Sequence, residues 1–433
     1  MSSQLIGVVA MAGLLGLILL RVPVAIALAL VGFFGYAAID DFHRALIALA
    51  GTPYDLTDKY SFTVLPLFIL MGAVASKSGM SAELYKAANA IFSGARGALA
   101  MGTVGACAGF GAISGSSLAA AATMSRVAIP EMRKYGYAES IATGTVASAG
   151  TLGSLIPPSL ILIIYAIVAE QGVPQLFAAA LIPGILATAL HLVVIWGYGR
   201  IWPDELPAAD SMPWSDRLAA MVGLWKIFVL FGIAVGGIYS GFMSPTEAAG
   251  VAAFVAIVIA FATRSLSVRD FIDALLETIW TTASLFLIVI GAFLFAYFMA
   301  LTQLPNALGN GMVAMGAAPW VMMLIIIAFY IVLGFFLDAI SMILITIPIF
   351  LPVAVGAGYD PIWFGILVLL VTEVGLITPP VGLNIFVIRG QLPDVGLGNI
   401  YRGILPFLWA HAATVLALML IPALALWLPG ALY

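Results

Sequence analysis

Residues 150–158 read Gly150-Thr151-Leu152-Gly153-Ser154-Leu155-Ile156-Pro157-Pro158, and residues 372–384 read Thr372-Glu373-Val374-Gly375-Leu376-Ile377-Thr378-Pro379-Pro380-Val381-Gly382-Leu383-Asn384. Both stretches lie in apolar surroundings. Two consecutive prolines remove two backbone donors, and their rings clash with the preceding helical turn. Glycines just upstream permit unwinding. Each stretch therefore reads as a helix broken near the middle of its span. A proline kink explains one such place; two at matching positions point to a binding site.

The correspondence extends outward. An offset of 222 carries Pro130 to Pro352, Gly136-Tyr137 to Gly358-Tyr359, Gly153 to Gly375, Pro157-Pro158 to Pro379-Pro380, and Pro23 to Pro245. Coincidence is the alternative in a chain with 44 Gly and 23 Pro, but six Gly or Pro positions matched at one offset favour an internal repeat. The most polar stretch, from Arg200 to Arg217, lies between the two copies. It divides the chain into a first repeat at 1–199, a polar linker at 200–226 and a second repeat at 227–433.

Composition sets the environment. Of 433 residues, 64% are hydrophobic and 8% are Asp, Glu, Lys or Arg, against about 25% charged residues in a soluble domain. The chain reads as an all-α integral membrane protein, which excludes a soluble enzyme, a nucleic-acid binder and a disordered scaffold. A net charge of -4 suggests no polyanionic partner. Cys107 is the single cysteine, so no internal disulfide forms. Long continuous apolar runs favour helices over an outer-membrane barrel. At about 20 residues per crossing they amount to about ten to twelve hydrophobic segments. The first 20 residues carry no basic group and read as a retained membrane helix rather than a cleaved signal. Residues near 40–60 could be an amphipathic surface helix or a loop.

Basic residues orient the halves. Residues 77–134 contain six Lys/Arg, whereas 299–356 contain none. Residues 140–199 contain none, whereas 362–421 contain Arg389 and Arg402. Basic residues favour the cytoplasmic side, so equivalent parts face opposite sides, the pattern of an inverted-topology repeat. Residues 97–125 are uncharged and flanked by Lys/Arg at both ends, with six glycines and six Ser/Thr. They read as a re-entrant hairpin with a partner at 319–347, because non-helical backbone is tolerated at membrane depth where it is buried or lines a cavity.

Three places can carry chemistry. In Gly111-Ala112-Ile113-Ser114-Gly115-Ser116-Ser117, a helix break would free carbonyls beside three hydroxyls. Carbonyls and helix C-termini suit a cation such as Na⁺, and helix N-termini suit an anionic group; small-residue helix packing is the plainer reading. The two Pro-Pro breaks are the second place. Asp338 is the third, as the one charge between Glu277 and Asp360. An intramembrane carboxylate is a functional hypothesis by default, to bind a cation or fix the hairpin tip; Glu373 has similar standing. Helix capping or a water-filled crevice is the plainer account of each. His191 and His411 are alone in apolar runs and read as hydrogen-bonded core residues. No His/Cys spacing suggests a transition-metal site, and no GxxxxGK[ST] supplies an ATP motor. Ala112 stands where an intramembrane serine protease would need Gly, which argues against an enzyme.

At these residues the chain resembles the large membrane subunit of tripartite ATP-independent periplasmic (TRAP) transporters. The resemblance runs through Leu65-Pro66-Leu67-Phe68-Ile69-Leu70-Met71-Gly72, Gly111 to Ser117, Ile129-Pro130-Glu131-Met132, Gly136-Tyr137, Ala149 to Pro158 and Thr378 to Asn384. It implies an unfused large subunit in the bacterial inner membrane that imports an organic acid such as a dicarboxylate, a sugar acid, a keto acid or sialic acid. It implies a small four-helix membrane subunit and a soluble periplasmic substrate-binding protein as partners, membrane lipid around them, and no nucleic acid. It implies Na⁺ as coupling ion, no other cofactor, and an elevator movement. Carried over by position, a first sodium site falls on Ser114, Gly115, Ser116, Thr151 and Gly153, and a second on Asp338, Ser341, Thr372, Gly375 and Thr378. Substrate would lie among Ser116, Ser117, Pro157, Pro158, Glu373, Pro379, Pro380 and Asn384.

The rival expectations are a stand-alone ion-coupled carboxylate carrier, a channel and a structural anchor. A channel builds its pore from oligomer symmetry, whereas here the symmetry is internal. An anchor has no use for polar, broken helices at the midplane.

Overall fold

The computed structural model describes residues 2–208, 211–314 and 318–433. Ala209 and Asp210 of the expected linker lie outside the described residues. Among the described residues the fold is helical, and the sole extended pairing is an isolated bridge between Arg96 and Ala208. Seven helical stretches are long and apolar enough to cross a bilayer, or eight with one bent pair, and six further apolar helices have 10–17 residues. The hydrophobic segments of the sequence thus divide into full spans and shorter arms.

The first half opens with α1 (Ser3–Leu19) and α2 (Val24–Ile39). Asp41 then caps α3 (Phe42–Asp58), its Oδ2 accepting from the N–H of His43 at 2.9 Å and of Arg44 at 3.3 Å. The segment that the sequence leaves between helix and loop is therefore a helix, with Ala45, Thr52 and Leu56 turned inward along one face. α4 (Val64–Lys77) and α5 (Met80–Phe92) lead to the paired helices α6 (Ala98–Ser114) and α7 (Ser117–Lys134). The interrupted helix follows as α8 (Glu139–Gly150), α9 (Leu152–Leu155) and α10 (Leu160–Val168), bent by 46°. α11 (Val173–Ile201) closes this half.

Irregular backbone covers 202–208 and 211–213, and helix resumes at Trp214. The stretch is docked on the first half: the Ala138 N–H donates to Glu205 O at 3.1 Å, and the Met212 N–H to Ser93 Oγ at 2.6 Å. One helical path from Trp214 to Tyr239 comprises α12 (Trp214–Val222), α13 (Trp225–Phe231), a π-turn at Gly232–Gly236 and α14 (Gly237–Tyr239). α15 (Pro245–Ala262) and α16 (Val268–Thr302) both start at capping boxes, Ser244 with Glu247 and Ser267 with Asp270. The order continues with α17 (Leu304–Ala314), the pair α18 (Pro319–Gly334) and α19 (Ala339–Gly356), and the second interrupted helix, α20 (Pro361–Gly375) and α21 (Leu383–Gln391). α22 (Leu397–Leu420) and α23 (Ala423–Leu432) end the order.

Lipid tails give no hydrophobic drive between helices, so small residues that let backbones touch decide the packing. α2 meets α16 this way: a Cβ on Gly32 would lie 2.6 Å from the Leu294 carbonyl carbon. α8 meets α22 more closely still: a Cβ on Gly144 would lie 2.1 Å from the Gly403 carbonyl carbon, and one on Gly403 would lie 1.8 Å from Ser140 O. Outward faces carry Trp280, Trp409 and Phe242, all largely exposed, where acyl chains or headgroups surround them. Gly403→Ala must push α22 off α8 and is expected to cost about 1–3 kcal/mol. Gly398→Ala, on the same helix with nothing within 4 Å, should leave the detergent melting temperature unchanged. Equal melting of the two variants would contradict this packing.

Candidate functional site

Glycine shapes the first tip. α6 ends at Ser114, and Gly115 turns the chain with φ +63°, a conformation that costs other residues a Cβ clash. Ser116 then caps α7, its Oγ accepting from the Ala119 N–H at 3.3 Å. This tip rests on the first break: the Leu160 N–H donates to Gly115 O at 3.3 Å, and a Cβ on Gly115 would lie 3.0 Å from Pro158 O. One turn earlier, a Cβ on Gly111 would lie 1.9 Å from Gly153 Cα, so the hairpin and the break share a backbone contact.

The second tip is built alike but charged. Asp338 caps α19, its Oδ2 accepting from the N–H groups of Ile340 at 3.1 Å and Ser341 at 3.3 Å. The Ser341 hydroxyl donates to Asp338 Oδ1 at 2.5 Å. Of the two roles the sequence offers Asp338, fixing the hairpin tip is the one these bonds perform. A Cβ on Gly334 would lie 2.5 Å from Gly375 Cα, and this hairpin meets its own break as the first one does. Gly382, at φ +72°, turns the chain past the second Pro-Pro pair, and the Tyr401 hydroxyl donates to Pro380 O at 2.6 Å.

The two tips face one another across a cavity of about 50 Å³ lined by Gly115, Ser116, Ser117, Leu160, Asp338 and Leu376 among others. The N-termini of α7 and α19, the positive ends of their peptide dipoles, both open on it. Among the described residues no basic side chain lines it. At the first tip and in the second break are buried polar atoms without a hydrogen-bond partner among the described residues: Ser114 Oγ, Thr372 Oγ1 and both polar atoms of the Asn384 side chain. Protein interiors rarely leave such groups unmet, and each needs a reason.

The structure distributes the sequence-predicted residues unevenly. Ser114, Gly115, Ser116 and Gly153 gather at the first tip, where a Cβ on Gly153 would lie 3.3 Å from Ser116 O. Thr151 lies in the same break, but its hydroxyl is committed elsewhere, donating to Ser148 O at 2.6 Å. Thr378 donates to Val374 O at 2.6 Å. Asn384 and Glu373 are wholly buried but do not line the cavity. Glu373 Oε1 instead accepts from the Ser154 hydroxyl at 2.6 Å, joining the two breaks. Sequence reasoning named Ser154 only as part of the first break and missed its bond to Glu373, and it missed that His191 and His411 meet with ring centroids 4.7 Å apart. No local pattern signals pairings between residues 219 or 220 positions apart.

Hairpins seated on interrupted helices, inside an all-helical apolar body, define a multi-pass membrane transporter. The sequence matches the family described as "Tripartite ATP-independent periplasmic transporter, DctM component" over residues 11–424, and the chain belongs to that family. It is 37% identical over 385 residues to the C4-dicarboxylate TRAP transporter large permease protein DctM of Pseudomonas aeruginosa, covering 88% of this chain and 89% of the relative. It is 33% identical over 392 residues to the protein of the same name from Rhodobacter capsulatus, covering 87% and 88%. Other relatives are named for sialic acid and ectoine. Such permease subunits are not enzymes. The fold resembles that of the Alcanivorax borkumensis YdaH transporter, with a TM-score of 0.63, 17% identity and coverage of 89% of this chain and 90% of that one.

Ser154→Ala strips Glu373 of its hydroxyl donor and is expected to cost about 1–3 kcal/mol of stability. Ser154→Ala combined with Glu373→Leu should cost less than the sum of the single changes, since it leaves no stranded carboxyl. Strictly additive melting shifts would mean that the two side chains do not interact.

Proposed function

We propose that this chain couples Na⁺ influx to the import of a small organic acid, a C4-dicarboxylate first among the candidates, across the bacterial inner membrane. The observation that carries the reading is the cavity between the two hairpin tips, with oxygen-bearing groups unmet at the first tip and in the second break and, among the described residues, no basic side chain lining it to hold an anion. A carboxylate there needs compensating charge, which the N-terminus of α7 supplies in part and bound cations supply in full. The first cation would lie by Ser114, Gly115, Ser116 and Gly153, with Thr151 contributing its carbonyl. The second would lie by Asp338 and Ser341, Thr372, Gly375 and Thr378. Substrate would sit between them, against Ser116 and Ser117 and the breaks at Pro157-Pro158 and Pro379-Pro380, with Glu373 and Asn384 behind.

The halves act as inverted repeats in this reading. Its support is that Ser116 and Asp338, 222 positions apart, hold the same post as caps of the second hairpin helix, and that each hairpin touches its break through paired glycines. Both hairpins and both breaks would travel as one body against the remaining helices, an elevator movement. By family membership, a soluble periplasmic protein would deliver the substrate and a small membrane subunit would accompany this one.

Na⁺ that binds only the folded state stabilises it by mass action, by about 2.7 kcal/mol at a hundredfold excess over Kd. Thermal unfolding at constant ionic strength should therefore show a saturable rise with Na⁺ that K⁺ and choline do not give. Asp338→Asn and Ser114→Ala should each weaken it. Wild-type Na⁺ dependence in both variants would place the ions elsewhere. Organic-acid uptake should also vanish in cells lacking the periplasmic protein and the small subunit, whereas persistent full uptake would make the chain a stand-alone carrier.

A further inference from the structure

Four wholly buried side chains meet behind the first break: Ser148 on α8, Thr151 at its end, His191 on α11 and His411 on α22. His191 Nδ1 lies 2.7 Å from Ala187 O, and its Nε2 lies 2.9 Å from Ser148 Oγ. His411 Nε2 lies 3.2 Å from Ser148 Oγ and 3.2 Å from Thr151 Oγ1. Phe407 stacks on the His191 ring at 5.6 Å between centroids, fixing its plane.

These distances determine where the hydrogens are. A backbone carbonyl only accepts, so His191 Nδ1 carries a hydrogen toward Ala187 O. Among the described residues no ion pair engages either ring, and a second proton on either would bury an unpaired charge. His191 Nε2 is then a lone pair, and the Ser148 hydroxyl donates to it. The Thr151 hydroxyl gives its hydrogen to Ser148 O. Both hydroxyls are left with lone pairs alone toward His411 Nε2, so that nitrogen carries the hydrogen and shares it between them. His411 Nδ1 keeps a bare lone pair, buried and without a partner.

We propose that His411, backed by Ser148 and His191, is the positioning residue of the first helix break. Its one N–H holds the Thr151 hydroxyl away from the cavity and fixes the end of α8. That end sets Gly153 against Gly111 and so seats the first hairpin tip. The groups that face a cation at this break are then its carbonyls, not the Thr151 side chain. The functional part of this inference rests on the Na⁺-coupled reading; the hydrogen positions rest on geometry alone.

The test has two arms. In ¹⁵N-histidine-labelled protein in bilayers, with exposed His43 changed to Gln, the two remaining rings should be neutral and opposite in tautomer, one Nδ1–H and one Nε2–H. Matching tautomers or an imidazolium would overturn the arrangement. In Na⁺-dependent thermal unfolding, His411→Gln keeps a donor near the place of Nε2 and should hold the Na⁺ midpoint within about threefold, whereas His411→Met, which lacks the donor, should raise it about tenfold or more. A wild-type midpoint in His411→Met, or loss of the response in His411→Gln, would overturn the positioning role. Should His411→Met fail to fold, His411→Gln and the tautomers decide. Absence of any Na⁺ response in the wild-type protein would defeat the Na⁺-coupled reading instead, and with it the functional role, leaving the tautomers as a separate test of the cluster.

Discussion

Hydrocarbon offers no hydrogen bonds to a bare N–H or C=O group. A helix interrupted within a membrane body is therefore possible only where other protein covers the interruption. Everything else in this fold follows from covering two of them. Each Pro-Pro break is overlain by a hairpin, and each hairpin comes near enough because glycine faces glycine, Gly111 on Gly153 and Gly334 on Gly375. Any side chain at these positions would hold the hairpin away and expose the broken turn. The abundance of glycine at the breaks is thus a matter of distance more than of flexibility.

The covered breaks are also tied to each other. Ser154 of the first donates to Glu373 of the second at 2.6 Å, and Tyr165 just beyond the first donates to Pro361 O at the start of α20. At the partly exposed base of α7, Arg133 pairs with Glu139 at 2.6 Å and with Asp394 at 2.8 Å, while Asn399 donates to the other oxygen of Glu139. Partly exposed ion pairs add little stability singly, but here they close the base of the first hairpin onto the loop before α22. The ties between the two breaks are neutral or singly acidic, in keeping with the cost of charge away from water.

Much of this was legible in the chain. Composition alone places it in a membrane, the double prolines mark both interruptions, and residues near Ser114 and Asp338 mark both tips. What stayed illegible has a common cause. Ser154 with Glu373, and His191 with His411, are pairings between distant helices, and neither period nor motif records which buried polar group another will meet. Its isolation among apolar residues marks Asp338 in the sequence, whereas its bonds to Ile340 and Ser341 are local and follow from an Asp three residues before a Ser. Thr151 shows the opposite limit: its place in the break was legible, but the direction of its hydroxyl depends on a histidine 260 positions later.

That separation governs how the protein is made. Residues leave the ribosome in order and early segments begin to fold first. When the first break emerges, Glu139 has no Asn399, Gly144 has no Gly403, and Ser148 and Thr151 have no His411. The first half can thread into the membrane, but its central polar groups must wait in the lipid, or in the insertion machinery, for α22 to arrive. Completion of the histidine cluster is consequently among the last events of biogenesis, and a ribosome that stalls before α22 leaves behind a chain in which Ser148 and Thr151 still lack the His411 N–H.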